Sequence, residues 1–263
     1  MITINPELLM TWAAIFIRTL SMLFPMPIFG DDSVPLHVKI ALSLSIAFSF
    51  TPFITELWMN QVPQSILPLA LMVVQEIMLG AMIGFVSKFI FDSVMMGANL
   101  VGYQMGFGTA NLLMPGTSEQ INAFTALHRI LAVLMFLSLN LHHTMIKGLL
   151  DSFHHIPPGR AIFHGKIGEF LIRVSSTIFT TSLQLASPVL IALMFTMAGL
   201  GLLAKTVPQM NVFTLSFPLS FIIGLVIWTA SLSLLPGWLE QHFFEIMNDI
   251  SNLLRSVGSL NNG

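Results

Sequence analysis

Residues 167–203 read IGEFLIRVSSTIFTTSLQLASPVLIALMFTMAGLGLL, and Glu169 and Arg173 are the only charged residues among these 37 positions. A helix that crosses a bilayer needs about 20 mostly apolar residues. The run is therefore long enough to span a membrane, and it is too long for one perpendicular crossing. Pro188 lies near its middle, which predicts a kinked or tilted helix. This run alone predicts an integral membrane protein.

The composition of the whole chain leads to the same class. Of 263 residues, 55% are hydrophobic and 8% are charged, and the mean hydropathy is +0.85. A soluble domain carries about 25% charged residues, so this chain has too little polar surface to solvate a globule. The absence of cysteine excludes disulfides, thiolate metal sites and cysteine nucleophiles. A net charge of −2 argues against a nucleic-acid partner.

Six apolar runs predict an all-α membrane protein of about six helices in a single domain. The N-terminus, Met1–Glu7, lacks the positive segment of a cleavable signal peptide, so the first run is expected to be a retained span. The glycine-rich segment Asp92–Thr125 separates the third run from the fourth, and the polar tail from Glu240 is expected to form a fraying amphipathic helix. The runs are approximately Leu8–Phe29, Val38–Leu57, Ile66–Ile90, Leu127–Leu150, Ile167–Leu203 and Val212–Leu239.

Charged residues are too few to fix the orientation. Lys147, Arg160, Lys166 and Arg173 surround one loop, which the positive-inside rule would place in the cytoplasm. The chain has only ten Lys and Arg residues, so the topology stays open. Ionisable groups at bilayer depth normally face a partner or a water-filled cavity. They therefore indicate either a proton or ion pathway or pairing between helices or subunits, and their isolation favours pairing. These residues are Arg18, Glu76, Lys88, Arg129, Glu169 and Arg173.

Motifs for enzyme chemistry are missing from the sequence. Adjacent histidines at 142–143 and 154–155 diverge by about 100° on a helix, so neither pair shares a ligand face for a metal. No phosphate loop, nucleophile elbow or carboxylate dyad is present, which indicates a non-enzymatic protein without a cofactor. Two small-residue pairs, Gly80-x-x-x-Gly84 and Gly102-x-x-x-Gly106, predict close helix packing.

Three well-separated motifs stand out along the chain. They are PMPIFG at 25–30 with VPLHVKIAL at 34–42, GYQMG at 102–106 leading through Ala110-Asn111 to Pro115-Gly116, and VPQMNVF at 207–213 with FPL at 217–219 and Gly224. These motifs resemble those of the FliR family, export-gate subunits of the bacterial flagellar type III secretion machine, and of the injectisome counterpart SctT. Their order and spacing fit the family over nearly the whole chain.

The resemblance implies a fold that the apolar runs alone do not define. Residues 1–165 would be similar to FliP, and residues 166–263 to the helical hairpin of FliQ with a tail, so some helices would be kinked hairpins. The chain would join FliP-like, FliQ-like and FlhB-like subunits and membrane lipid in the bacterial inner membrane, at the flagellar basal body. The assembly would form the pore through which unfolded flagellar proteins are exported.

The second motif implies a loop that plugs the closed pore. Glycines at 102, 106 and 108 would act as its hinges. An apolar constriction of this kind gates by excluding water. This chain departs from many relatives at Met114, where they have an acidic residue, and at Thr109, where an aromatic is common. The plug would comprise Phe107, Thr109, Leu112, Leu113, Met114 and Gly116.

The third motif implies a hairpin tip at Lys205, Pro208 and Gln209. This tip would line the pore entrance and meet substrate or the FlhB-like subunit, or it would be a solvated turn between two helices. Three alternatives to the flagellar gate remain open: the equivalent subunit of a virulence injectisome, a small-solute secondary transporter and a membrane scaffold. A transporter would show inverted repeats, and none is evident in the sequence.

Overall fold

The computed structural model describes residues 6–31, 34–58, 65–107, 123–160, 165–207, 209 and 211–259. Within these ranges the chain is α-helical, with one short 3₁₀ turn and no strand. The prediction of an all-α fold is confirmed. The elements are α1 Pro6–Leu23, α2 Leu36–Trp58, α3 Ile66–Gln104, α4 Ala123–Ser138, α5 Leu141–His155, α6 Gly165–Thr206, α7 Val212–Ser231, the 3₁₀ turn Leu232–Leu234 and α8 Leu235–Ser259.

Among the described residues, four helices are long and apolar enough to cross a membrane, or five if the broken pair α4 and α5 counts as one span. The fourth apolar run is interrupted because Asn140 has a φ of 55°, a left-handed conformation that ends a helix. Helix α3 is longer than the third run predicts, since it continues into the glycine-rich segment as far as Gln104. The prediction of an integral membrane protein is therefore confirmed. Several helices, however, begin or end at residues other than those of the predicted apolar runs.

Helix α6 has 42 residues and runs past Pro188. At 1.5 Å per residue it is about 63 Å long, roughly twice the thickness of the hydrocarbon core of a bilayer. A proline removes one hydrogen-bond donor from a helix and so leaves a backbone carbonyl without its partner. In an apolar environment this is tolerated where neighbouring groups supply another hydrogen bond to that carbonyl. The sequence prediction that this run exceeds one perpendicular span is confirmed.

The chain divides into two compact units. Unit 1 comprises Met1–Phe89, Asn140–Val174 and His242–Gly263, and unit 2 comprises Ile90–Leu139 and Ser175–Gln241. In unit 1, helices α1 and α2 pack side by side, and Gly80 and Gly84 of α3 lie directly against α1. A Cβ at Gly80 would overlap the Arg18 carbonyl, and one at Gly84 would overlap the Met22 carbonyl. Because glycine has no side chain, the backbones of α1 and α3 can approach each other closely at these two positions.

Two helices with residues in unit 1, α5 and α8, have exposed polar residues opposite a buried apolar face. On α5, Leu141, Met145 and Leu149 are buried while His143 and Lys147 are exposed. On α8, the side chains Phe243, Met247, Ile250, Leu253, Leu254 and Val257 are buried. The exposed polar residues of its C-terminal part are Glu245, Asn248, Asp249, Asn252 and Arg255. The predicted amphipathic tail therefore packs its apolar face inward.

The core of unit 2 is formed where α3, α4, α6 and α7 meet. Its buried members are Val101, Met105, Phe124, Ala186, Val189 and Leu193. Some polar side chains inside this unit are paired between helices: the Thr181 hydroxyl lies 2.9 Å from the Ser93 hydroxyl, and the Thr125 hydroxyl donates to Asn99 Oδ1 at 2.7 Å. Such pairing lets polar groups lie in an apolar interior at little cost.

Candidate functional site at the anchors of residues 108–122

The site begins at the C-terminal end of α3, which a glycine terminates. Gly106 has a φ of 95°. Its N–H donates to the Tyr103 carbonyl at 3.1 Å, and the N–H of Phe107 reaches back to the Gly102 carbonyl at 3.0 Å. This pair of bonds is a Schellman motif, which satisfies carbonyls that the helix end leaves without partners. Gly106 therefore turns the chain sharply and aims Phe107 back toward the helix.

Phe107 is one anchor of the segment 108–122, and Phe124 is the other. Their ring centroids are 5.9 Å apart in a stacked arrangement. The ring of Phe107 also lies 5.6 Å from that of Phe221 on α7. Contacts of this kind are worth about 0.5–1.5 kcal/mol beyond the apolar area that they bury. The described residues on either side of the segment 108–122 therefore lie next to each other.

One face of α7 supports both anchors. Phe217, Phe221, Gly224 and Trp228 are spaced by four, three and four residues, which places them along one stripe of the helix. A Cβ on Gly106 would lie 2.5 Å from the Phe217 ring, and one on Gly224 would lie 2.6 Å from Met105 Cγ. Small residues are therefore required on both sides of this contact.

A polar pair lies within this aromatic cluster. The indole N–H of Trp228 donates to Nε2 of His128 at 2.7 Å, and Nδ1 of His128 lies 2.9 Å from the Phe124 carbonyl. An indole nitrogen can only donate, so Nε2 must be the accepting nitrogen and Nδ1 must carry the proton. His128 is 5% exposed. Its ring is thus neutral and uses both nitrogens in hydrogen bonds.

A second polar cluster lies in unit 1. Arg18 forms a two-point ion pair with Glu76, with Nε–Oε2 at 2.6 Å and Nη2–Oε1 at 3.0 Å, and both side chains are fully buried. The guanidinium also donates to the Ser152 hydroxyl and the Ile156 carbonyl, and it lies 3.9 Å from the centre of the Phe153 ring. We expected ionisable residues within the apolar runs to pair between helices, and this is confirmed for Arg18 and Glu76.

The other residues singled out in the sequence are distributed as follows. Thr109, Leu112, Leu113, Met114, Gly116 and the hinge Gly108 lie outside the described residues, as does Pro208. Lys205 and Gln209 are exposed at the end of α6 and in the turn that follows. Asn211 caps α7 by accepting a hydrogen bond from the Thr214 N–H at 3.2 Å. No group of His, Asp or Glu that could hold a metal occurs among the described residues.

The pair His128–Trp228 was not predicted from the sequence. The two residues are 100 positions apart, and neither lies in a motif for chemistry. The spacing of Phe124 and His128, four residues on one helix, would have placed them on one face. Only the packing of α7 against α4 could identify the partner.

Apolar spans with ionisable groups paired between helices define a multi-spanning α-helical membrane protein. A family model described as "Bacterial export proteins, family 1" matches residues 9–246 of this chain. A flagellar biosynthetic protein FliR from Escherichia coli (strain K12) is 30% identical over 261 residues, covering 98% of this chain and 99% of the relative. The chain therefore belongs to this family of export proteins, and the resemblance to FliR is confirmed.

More distant relatives extend the match across bacteria. The flagellar biosynthetic protein FliR of Bacillus subtilis (strain 168) is 26% identical, covering 96% of this chain and 97% of the relative. That of Aquifex aeolicus (strain VF5) is 25% identical, covering 97% and 98%. The match to these relatives therefore covers nearly the whole length of both chains.

Proposed function

We propose that this chain is the FliR-type subunit of the flagellar type III export gate and that it helps to form the conduit for unfolded flagellar proteins. Family membership and the full-length relatives named flagellar biosynthetic protein FliR support the flagellar assignment. They favour it over a virulence injectisome or a small-solute transporter. The subunit is non-enzymatic, resides in the bacterial inner membrane and is required for flagellum assembly.

The observation that carries the proposed gating role is the stacking of Phe107 on Phe124. Because Phe107 and Phe124 are in contact, the two described chain ends that flank residues 108–122 lie side by side. Leu112, Leu113 and Met114 would supply the apolar surface of the plug, since a conduit lined by such residues excludes water and ions until it opens. Glycines at 106 and 108 precede these residues in the chain, and the left-handed φ of Gly106 supports its role as the turn at which the described part of α3 ends.

Assembly with other subunits is supported by the length of the exposed apolar surface of α6. Ile172 is 73% exposed and Leu202 is 70% exposed, and 30 residues of helix separate them by about 45 Å. The hydrocarbon core of a bilayer is about 30 Å thick and cannot cover this whole length. The remainder needs protein cover, which FliP-like, FliQ-like and FlhB-like subunits would provide. Lys205 and Gln209 would then face the conduit entrance or the FlhB-like subunit.

The experiment that tests the function is deletion and complementation. A strain lacking this chain should lose motility and export of flagellar proteins, and the intact chain should restore both. Affinity-tagged chain should co-purify with FliP-like and FliQ-like proteins. Retained motility together with loss of effector secretion would instead identify an injectisome subunit. Substrate transport by the isolated chain would identify a transporter.

Gating has its own test, namely ion leakage across the membrane of cells with assembled gates. Replacement of Leu112, Leu113 and Met114 by serine should raise the leak, because a polar constriction no longer excludes water. Serine at Leu8 and Leu9, two exposed residues of α1, is the control. Equal leakage from the intact, plug-variant and control gates would remove the plug assignment and leave the export-subunit assignment in place.

A further inference from the structure

The surface of α3 changes in character along the helix. Between residues 66 and 85, in unit 1, every exposed side chain is apolar, as at Ile66, Leu71 and Val74. Such a surface can lie against lipid. Between residues 90 and 104, in unit 2, the side chains that are not buried are Asp92, Met95, Met96, Asn99, Leu100, Tyr103 and Gln104. Polar groups of this kind are costly in hydrocarbon, so this half of α3 needs a different neighbour.

Five of these side chains form one stripe, which we call the polar face of α3. The stripe consists of Asp92, Met95, Met96, Asn99 and Tyr103. Relative to the first member, the others lie three, four, seven and eleven residues further on, a spacing that keeps them on one side of a helix. The stripe is about 16 Å long. The opposite side of the helix packs into the core of unit 2 through Val101 and Met105.

Helix α4 shows that unit 2 is apolar elsewhere at the same level. The rings of Phe91 and Phe136 have centroids 5.4 Å apart. Eight residues further along α3, Asn99 accepts a hydrogen bond from Thr125, so the two helices are antiparallel. Between residues 126 and 137 the exposed side chains of α4 are leucine and isoleucine, apart from one arginine. The unit is therefore not simply immersed in water where the polar face lies.

We propose that the polar face of α3 lines the conduit and contacts the unfolded chain during export. This inference rests on the proposed conduit function. Polar residues in a membrane-spanning helix normally face a partner or a water-filled cavity. An unfolded chain of varying sequence needs a surface that accepts many side chains. Met95 and Met96 adapt to different shapes because the thioether chain is flexible, and Asn99 and Tyr103 supply donors and acceptors.

The first part of the test is cysteine reactivity, which suits a chain without native cysteine. Tyr103→Cys probes the polar face, and Leu134→Cys on α4 is the matched control in the same unit. The two native side chains are similarly exposed, at 60% and 57%. In membranes with assembled gates and both sides accessible, a charged thiol reagent should modify Tyr103→Cys about tenfold faster or more, because the charged reagent enters hydrocarbon poorly.

The second part is photo-crosslinking to an export substrate that a folded C-terminal domain arrests in the conduit. A benzophenone amino acid in place of Tyr103 should capture the arrested chain, and the same amino acid in place of Leu134 should not. Where Tyr103→Cys lowers the amount of assembled gate, Met96→Cys and a benzophenone at the same position give the same comparison on the same face.

The inference is overturned if the two cysteines react at the same rate, since the polar face is then covered by protein or lipid. It is also overturned if the benzophenone on the polar face captures a neighbouring subunit or nothing in place of the arrested chain. In either case, restored motility and co-purification with the other gate subunits leave the proposed function standing. Failure of both complementation and co-purification removes the proposed function and this inference together.

Discussion

The guanidinium Nε of Arg18 lies 2.6 Å from Oε2 of Glu76, and neither side chain is exposed to solvent. Each member of the ion pair also makes a hydrogen bond to the backbone. Glu76 Oε1 also accepts from the Gly159 N–H at 3.2 Å, while Arg18 reaches the Ile156 carbonyl. One ion pair therefore connects α1 and α3 with the turn that follows α5. A buried charge without its partner is strongly unfavourable, so each member depends on the other.

Glu76→Leu should destabilise the purified protein by about 3–5 kcal/mol, because it leaves the Arg18 charge buried and unpaired. Arg18→Met combined with Glu76→Leu should recover most of this loss, since an apolar pair of similar volume carries no such penalty. Thermal unfolding in one detergent measures both. A double variant that is no more stable than Glu76→Leu would contradict the argument.

The exposed pair Arg173–Asp249 provides the control within the same unit. Its closest nitrogen–oxygen distance is 3.7 Å, and the two side chains are 67% and 51% exposed. Exposed ion pairs contribute roughly 0–1 kcal/mol. Asp249→Leu should therefore change the unfolding temperature far less than Glu76→Leu, although the chemical change is similar.

Alanine at Gly80 or Gly84 should separate α1 from α3. The added Cβ would overlap backbone carbonyl oxygens of Arg18 or Met22, and backbone cannot move aside as a flexible side chain can. Overpacking of this kind costs about 1–3 kcal/mol, which exceeds the gain of up to about 1 kcal/mol from replacing a helical glycine by alanine. Unfolding of the purified variants should show a net loss of stability.

Gly168→Ala is the matched control, because nothing lies within 4 Å of a Cβ at this position in α6. Only the helix-propensity gain applies there, so this variant should be as stable as the parent or slightly more stable. A similar loss for Gly168→Ala and Gly80→Ala would mean that contact with α1 is not the cause.

Local sequence signals predict the helices well and their ends poorly. Residues 92–104 contain Gly97, Gly102 and several polar residues, and the sequence alone places them in a glycine-rich segment outside the third apolar run. They are helical because the polar groups find partners on other helices, as Ser93 does with Thr181. The helix ends instead at Gly106, where a positive φ is required. The break at Asn140 carried a weak signal, since asparagine tolerates the left-handed region better than most residues.

The candidate site could be predicted only in part. Gly106, the second glycine of GYQMG at 102–106, is typical of a turn, and Phe107 follows it directly. The partners Phe217, Phe221 and Trp228 come from a helix more than 100 residues further along the chain. Contacts between residues so far apart in the chain depend on which apolar faces of the helices pack together, and a single sequence does not show which faces those are. The same holds for Arg18 and Glu76, which are 58 positions apart.

Gly106→Ala should destabilise unit 2 for two separable reasons. The φ of 95° is unfavourable for any residue with a Cβ, at a cost of about 1–2 kcal/mol, and the Cβ would lie 2.5 Å from the Phe217 ring. Phe217→Ala in the same chain removes the overlap and leaves the backbone strain. Gly106→Ala should therefore cost less stability in the Phe217→Ala chain than in the parent chain.

A double-mutant cycle in unfolding free energy measures the two contributions of Gly106. The cycle needs Gly106→Ala, Phe217→Ala and their combination, each purified under the same conditions. Equal effects of Gly106→Ala in both backgrounds would show that the Phe217 ring moves aside without cost and that only the backbone term is present. Gly201→Ala, on α6 with nothing within 4 Å of its Cβ, controls for the glycine-to-alanine change itself.

Lys147 on α5 should be in contact with water. It lies on the exposed face of a helix whose opposite face, including Met145, is fully buried. A charge facing lipid at the bilayer centre costs about 2.5–3.5 kcal/mol on insertion scales, and α8 adds further exposed charges in the same unit. The polar faces of α5 and α8 are therefore expected to lie outside the hydrocarbon, and we expect that α5 does not form the second half of a lipid-facing span.

The chain has no cysteine, so a single substitution gives a protein with one thiol. Lys147→Cys should react with a membrane-impermeant maleimide in membranes opened to both sides, as fast as a cysteine in an aqueous turn. Met145→Cys, two positions away with a side chain that is not exposed, should react only after denaturation. A Lys147→Cys thiol that stays unreactive until detergent is added would place α5 within lipid or against a partner subunit, because both environments exclude the reagent while an aqueous face admits it.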